Sequence, residues 1–337
     1  MATSAAGLPQ RSARSRIPRR LQPYLYLVPA FVVMAIITFY PLTFQVWMSF
    51  HEFGQINFRV RNPVAPEFIG LENYIRIAQS NLQIPNFEFF RLVLFNLWWA
   101  LSNVVVHVVI GVVIAVLLNT RGLRFRGVYR ALFILPVVIP PIIVATVWRN
   151  MFDPDAGAIN LGLQGLGGLL GISPDHPAFN LSWLRQTNDP ISWIPLPLAF
   201  YAMLIANTWL GWPLNAVVAT GALQSIPGEL YEAAEMDGAS PWQKFRNVTI
   251  PFLRPAMLPY AIYGFVITFN LFFLPYFMTQ GEPFGRTEIL VTQAYRLAAE
   301  RRLFGVAAAF AVYLFFLLLI VTLITNRMAK ATKSYAD

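Results

Sequence analysis

Residues 225–255 read SIPGELYEAAEMDGASPWQKFRNVTIPFLRP and join two long apolar runs. The stretch spells a helix, a hinge and a second helix. Ser225 is placed to cap the first helix, Pro227 suits its opening turn, and Glu229 and Glu232 favour its positive N-terminal end. Gly238 supplies the left-handed residue that stops it. Ser240 and Pro241 then form a new cap and first position, and Pro251 is expected to end the second helix. Leu230, Ala233, Ala234 and Asp237 recur at i, i+3, i+4, i+7, so one face of the first helix carries little side-chain bulk. Such a face allows another surface to approach closely.

Working outward from this loop, the chain of 337 residues is 57% hydrophobic and only 12% charged, about half the charge of an ordinary soluble domain. Six stretches hold no Asp, Glu, Lys or Arg: 21–50, 92–120, 131–148, 190–228, 255–281 and 303–326. About 20 apolar residues suffice to cross a bilayer, so the reading is an all-α polytopic membrane protein with six transmembrane helices. The runs are continuously apolar and lack the alternation of a transmembrane β-barrel. Cysteine is absent, and His51, His107 and His176 stand far apart, which argues against disulfide, thiolate or histidine-metal chemistry.

Charge sets the topology. With the N-terminus in the cytoplasm, 15 of the 25 Lys and Arg residues fall on the inner side, and the two sides carry net charges of +10 and −1. This satisfies the positive-inside rule and accounts for the overall +9 without invoking nucleic acid. The expected plan is a basic cytoplasmic tail at 1–20, a membrane domain at 21–326 and a cytoplasmic tail at 327–337. Spans fall near 24–50, 92–119, 131–148, 193–221, 255–281 and 303–326, with a cytoplasmic loop at 222–254. The first run exceeds the 7–15 residues of a signal core and reads as a retained helix. A further charge-free run, 156–174, contains six glycines and is expected to be an extracellular loop, not a seventh span.

The loop carries a family signature. Glu232-Ala233-Ala234, Gly238 four residues later, and Val248-Thr249-Ile250-Pro251 after nine more resemble the EAA motif of bacterial ABC importer permeases. Val248 and Ile250 replace the usual Ile and Leu. FIGLENY (68–74), RALFILP (130–136), WRNMFDP (148–154) and TQGEP (279–283) are similar to stretches of the carbohydrate-uptake branch, with Glu282 in place of a usual glycine. Together they resemble the larger subunit class of the maltose-type sugar permeases.

That resemblance implies the type I ABC importer permease fold in the bacterial inner membrane. It also implies partners: a second permease, two ATP-binding subunits and an extracellular solute-binding protein, with a sugar as substrate. The loop would be the coupling helix, with Glu232 and Asp237 meeting polar groups of an ATPase, Ala233 and Ala234 permitting close docking, Gly238 setting the hinge, and Ile250 and Pro251 closing the motif. This chain has no G-x-x-x-x-G-K-S/T loop, so ATP and Mg are expected in the partner, with no cofactor and no catalysis here.

A sugar path needs polar groups and open space between helices. Asn207, Leu210 and Gly211 in the fourth run read as an amide beside a gap. Gly264, Ile267, Thr268 and Leu271 in the fifth share a small, hydroxyl-bearing face, with Asn270 off that stripe but within a Phe-Asn pair that the family has. By resemblance, these two faces are where substrate contact falls. Each residue is equally accounted for by ordinary helix packing, and His107 reads as a packed neutral imidazole. The alternatives are an ion- or proton-coupled secondary transporter, which needs an intramembrane charge that the six runs lack, and a membrane enzyme, for which no constellation stands out.

Overall fold

The computed structural model describes residues 22–59, 64–120 and 122–333; the basic tail expected at 1–20 and the last four residues lie outside them. In chain order the elements are α1 (Gln22–Ser49), a two-residue antiparallel bridge of β1 (His51–Glu52) with β2 (Glu67–Phe68), α2 (Glu72–Ala78) and α3 (Phe89–Leu118). Then come α4 (Arg126–Val138), α5 (Pro141–Met151), α6 (Ala158–Leu169) and α7 (Leu198–Gln224). The chain closes with α8 (Gly228–Met236), α9 (Pro241–Phe269), α10 (Leu290–Tyr295) and α11 (Phe304–Lys333). Among the described residues, α1, α3, α7, α9 and α11 are long and apolar enough to cross a membrane, and the bent pair of α4 and α5 makes a sixth when counted as one broken span. The architecture is an all-α polytopic bundle.

The third span departs from a single rod. α4 and α5 meet at 95°. Ile139 and Pro140 each precede a proline, and both take extended backbone, with ψ of 128° and 132°, because the following ring excludes the α region.

Prolines elsewhere act differently. Pro251 does not end its helix as expected: α9 runs through it to Phe269. A π turn at Phe245–Thr249 precedes it, with the Ile250 N–H reaching back to the Phe245 carbonyl. The wider turn takes up the backbone that a proline ring would otherwise crowd. α1 repeats the device, with a π turn at Ala35–Phe39 ahead of Pro41 and the Tyr40 N–H on the Ala35 carbonyl. α9 then stops at Phe269, where the sequence suggested a span reaching 281; Asn270 caps it and turns its amide back to the Val266 carbonyl at 3.0 Å.

The stretch 156–174 also differs from its expectation, since 158–169 is helical as α6. Its inner side is pinned by hydrogen bonds that outweigh the low propensity of glycine. At 12 residues it spans about 18 Å, too short to cross a bilayer.

The FIGLENY stretch is a folded stitch between elements. Buried Asn73 donates to the Ser49 and His51 carbonyls, both at 3.0 Å. The Tyr74 hydroxyl meets Ser49 Oγ at 2.6 Å, and Tyr313 of α11 donates to the Tyr74 carbonyl at 3.2 Å.

The centre of the bundle is the α3–α7 pair. On α3, Asn96, Ala100, Asn103, His107, Gly111 and Ala115 recur every three or four residues and are buried. Asn103, His107, Gly111 and Ala115 of this row meet Asn207, Gly211, Asn215, Ala216 and Ala219 of α7. A side chain on Gly111 would overlap Asn215 and the Ala216 backbone, so the two backbones touch where small residues face each other, as membrane helices lacking a hydrophobic drive require.

Candidate coupling loop and transport seam

The turn at 225–251 closes one end of the bundle. Ser225 belongs to the end of α7, with Oγ on the Ala222 carbonyl at 2.8 Å; it does not cap α8, whose N-cap is Pro227. Glu229 lies in the first turn of α8, and Glu232 is one turn further on. The C-terminus is a Schellman motif: the Gly238 N–H donates to the Glu235 carbonyl at 3.0 Å and the Ala239 N–H to the Ala234 carbonyl at 2.9 Å. Gly238 has φ of +77°, a left-handed conformation that a β-branched residue does not tolerate. Ser240 and Gln243 form a reciprocal capping box, with bonds of 2.7 and 3.3 Å, that starts α9 one residue later.

No residue of α8 is buried. Glu232, Ala233, Asp237 and Gly238 are exposed and Ala234 is half-buried. Met236 is 89% exposed and Trp242 65%, so the tip offers two large apolar side chains that sequence reasoning passed over. The loop is nonetheless fixed in place. Tyr231 meets Thr249 Oγ1 of α9 at 2.9 Å, Lys244 pairs with Glu235 at 3.3 Å, and Ile226 is buried against Leu223, Leu253 and Met257. Ile250 and Pro251 stand apart from the tip, on the membrane helix after the π turn.

The expected pathway residues are not all brought together. Asn207 Nδ2 donates to Asn103 Oδ1 at 2.7 Å, and Asn103 Nδ2 donates to the Trp99 carbonyl at 2.7 Å, all buried. Gly211 does not border a gap: a Cβ there would collide with the His107 ring, so its missing side chain makes room for imidazole. Leu210 and Leu271 join one apolar cluster with Trp99, Phe200 and Met203. Thr268 is buried, Ile267 is 49% exposed, and Asn270 bonds its own helix. Gly264 keeps room, its nearest neighbour being Val104 of α3 at 3.9 Å from a built Cβ. The signal for the seam was present in α3, where Asn96, Asn103 and His107 share one helical face.

The opposite end is latched by polar side chains. Asn96 accepts from the Leu290 N–H at 2.7 Å and donates to the Phe269 carbonyl at 3.1 Å. It thereby caps the start of α10 and the end of α9 together. The TQGEP turn places Gly281, at φ +83°, against the Glu288 carboxylate, where a side chain would collide. Glu288 accepts from Arg296 Nε at 2.7 Å, and Arg296 also reaches Glu300 and the Gln280 carbonyl. Burial pushes the Glu288 carboxyl up from its ordinary range, opposed by the Thr292 hydroxyl and Arg296. Among the described residues, no group of three or more His, Cys, Asp or Glu side chains is placed to hold a metal.

A bundle of membrane helices that carries one exposed helix with well-capped ends is a form that suits the membrane subunit of a transporter. Residues 107–334 match the family described as "Binding-protein-dependent transport system inner membrane component", and the chain belongs to that family. It is therefore an inner-membrane component of a binding-protein-dependent transport system and a multi-pass membrane protein. The maltose/maltodextrin transport system permease protein MalF of Klebsiella aerogenes is 34% identical over 275 residues, covering 77% of this chain and 49% of that protein. The galactooligosaccharides transport system permease protein GanP of Bacillus subtilis is 29% identical over 322 residues, 93% of this chain and 71% of that one. The chain thus spans about half the length of the MalF relatives it matches. A solved bacterial ABC transporter involved in the import of the acidic polysaccharide alginate shares the fold, with a TM-score of 0.71 at 18% identity over 93% of this chain and 96% of that one.

Proposed function

We propose that the chain is the transmembrane subunit of an ATP-driven, binding-protein-dependent importer of a neutral di- or oligosaccharide. It forms half of the path with a second permease, keeps both termini in the cytoplasm, and docks α8 into one of two ATP-binding subunits. The observation that carries the docking is the bare α8, none of whose residues is buried within the chain although its ends are tightly capped. Glu232, Ala233, Ala234, Asp237 and Gly238 form the docking face, and Ile250 and Pro251 join it to the membrane lever. The names of the relatives, maltose and galactooligosaccharide permeases, support a sugar. A neutral one fits because, among the described residues, the one buried charged side chain is Glu288, outside the membrane helices.

Within the path, Gly264 and Ile267 keep free surface, with Asn270 at the mouth, and these line the route. Asn207, Leu210, Gly211, Thr268 and Leu271 form its supporting wall. The test is purification of the tagged chain from its native membrane, identification of what accompanies it, and uptake of labelled sugars by the reconstituted assembly. A co-purifying second permease and ATPase with sugar-stimulated hydrolysis is expected. A lone chain with no ATPase would favour an ion-coupled transporter instead.

A further inference from the structure

α6 is built inside out. Its two polar side chains, Asn160 and Gln164, both face the protein. Asn160 donates to the Pro154 and Leu181 carbonyls at 2.9 and 3.0 Å and accepts from Trp183 Nε1 at 2.8 Å, and Gln164 donates to Asn180 at 2.9 Å. Gly167 on the same side lies flat against the Phe179 ring. The other side shows Leu161, Leu166, Leu169 and the adjoining Leu170, exposed by 52, 62, 84 and 77%. Between them, Gly162, Gly165 and Gly168 face open space. A helix in water turns its apolar face to the protein and its polar face out; this one does the reverse.

Lipid is the solvent in which that arrangement is stable, because polar groups must be satisfied internally and leucine faces the solvent without cost. The membrane helices of this chain follow the same rule. α3 hides Asn96, Asn103 and His107 and exposes Leu94, Leu101, Val105 and Val109. Because α6 is too short to span, it must lie along the membrane surface. Residues 156–174 carry no charge, so nothing on the helix resists contact with lipid, and the nearest charges, Asp155 and Asp175, lie outside it and are exposed.

We propose that α6 is an interfacial anchor that lies in the bilayer surface at the end of the bundle opposite α8, with Leu161, Leu166, Leu169 and Leu170 in the acyl-chain boundary. The inference depends on the chain being in a membrane and is independent of which solute it carries. The native chain has no cysteine, so a nitroxide on Leu169→Cys or Leu166→Cys reports one site, and the same assembly with unsubstituted chain supplies the partner background. The labelled assembly is placed in phosphatidylethanolamine–phosphatidylglycerol nanodiscs, with Asp175→Cys as the aqueous reference. A ratio of oxygen to nickel-chelate accessibility several-fold above the reference at both leucine positions is expected. Nickel access equal to the reference would overturn the proposal by placing α6 in water. Loss of access to both reagents would overturn it in favour of a protein partner on this face.

Discussion

The Tyr231 hydroxyl of α8 and the Thr249 hydroxyl of α9 lie 2.9 Å apart. Thr249 closes the π turn ahead of Pro251, and α9 continues without a break from Pro241 to Phe269. α8 is thus tied to that helix by the Tyr231–Thr249 bond, the Glu235–Lys244 pair, the buried Ile226 and the Schellman turn. Tyr231→Phe removes the bond while keeping the ring. The expected result is a stability loss of about 1 kcal/mol together with hydrolysis poorly coupled to uptake, read as more ATP consumed per sugar imported. An unchanged ratio would show that the bond carries no part of the transmission.

Gly238 offers a second test of the same linkage. At φ +77° alanine costs about 1 kcal/mol and a β-branched residue more, while asparagine tolerates the conformation. Nothing lies within 4 Å of a Cβ built there, so the penalty comes from the backbone and not from a clash. Gly238→Val should insert in the membrane at normal levels yet fail to retain the ATPase on purification, and Gly238→Asn should keep most of it. Equal retention by both variants would remove the hinge from the account.

Gly211 and His107 make a lock and key within the membrane. A side chain at 211 would occupy the space of the imidazole, and overpacking of this kind costs about 1–3 kcal/mol. Gly211→Val should lower the thermal midpoint of the purified assembly, and His107→Ala in the same chain should restore part of it. Failure of the second substitution to compensate would mean that the strain lies elsewhere.

Much of this was legible from residue order. The charge-free runs pointed to an all-helical membrane bundle because lipid admits few charges, and Gly238 and Ser240 marked real helix ends because capping is local chemistry. Pro251 misled because a π turn, which no propensity signals, absorbs it. The 95° break between α4 and α5 was written in Pro140-Pro141 but hidden by the apolar run around it. Residues 156–174 looked like a loop because glycine is a poor helix former in water, whereas the fold pins one face of α6 with hydrogen bonds. Asn207 and Gly211 read as an amide beside a gap because a single helix does not reveal its neighbour. Only the apposition of α3 and α7 gives the amide to Asn103 and the gap to His107.

The Asn103–Asn207 bond, 2.7 Å long and buried, is measurable by a double-mutant cycle. Interhelical hydrogen bonds in membranes average about 0.6 kcal/mol and reach about 1.7. Asn207→Leu, Asn103→Leu and the pair should give a coupling energy in that range, with sugar selectivity unchanged by any of the three. A shift in which sugars are imported, at preserved stability, would put Asn207 back on the path.

Asn96 makes the sharpest prediction, because one side chain serves two helix ends. Its Oδ1 takes the Leu290 N–H and its Nδ2 serves the Phe269 carbonyl, and all of it is buried. Asn96→Leu strands both backbone groups, and each unsatisfied buried group costs about 1–3 kcal/mol. Asn96→Asp keeps the acceptor but turns a carboxylate oxygen toward the Phe269 carbonyl, so it fares no better unless it takes up a proton. In that case its thermal midpoint should rise as pH falls, while that of Asn96→Leu should show no such added dependence. Each variant measured from pH 5 to 8 beside the native chain decides the point. A midpoint for Asn96→Leu within error of the native chain would mean that water or another donor already satisfies these ends and that Asn96 is not their cap.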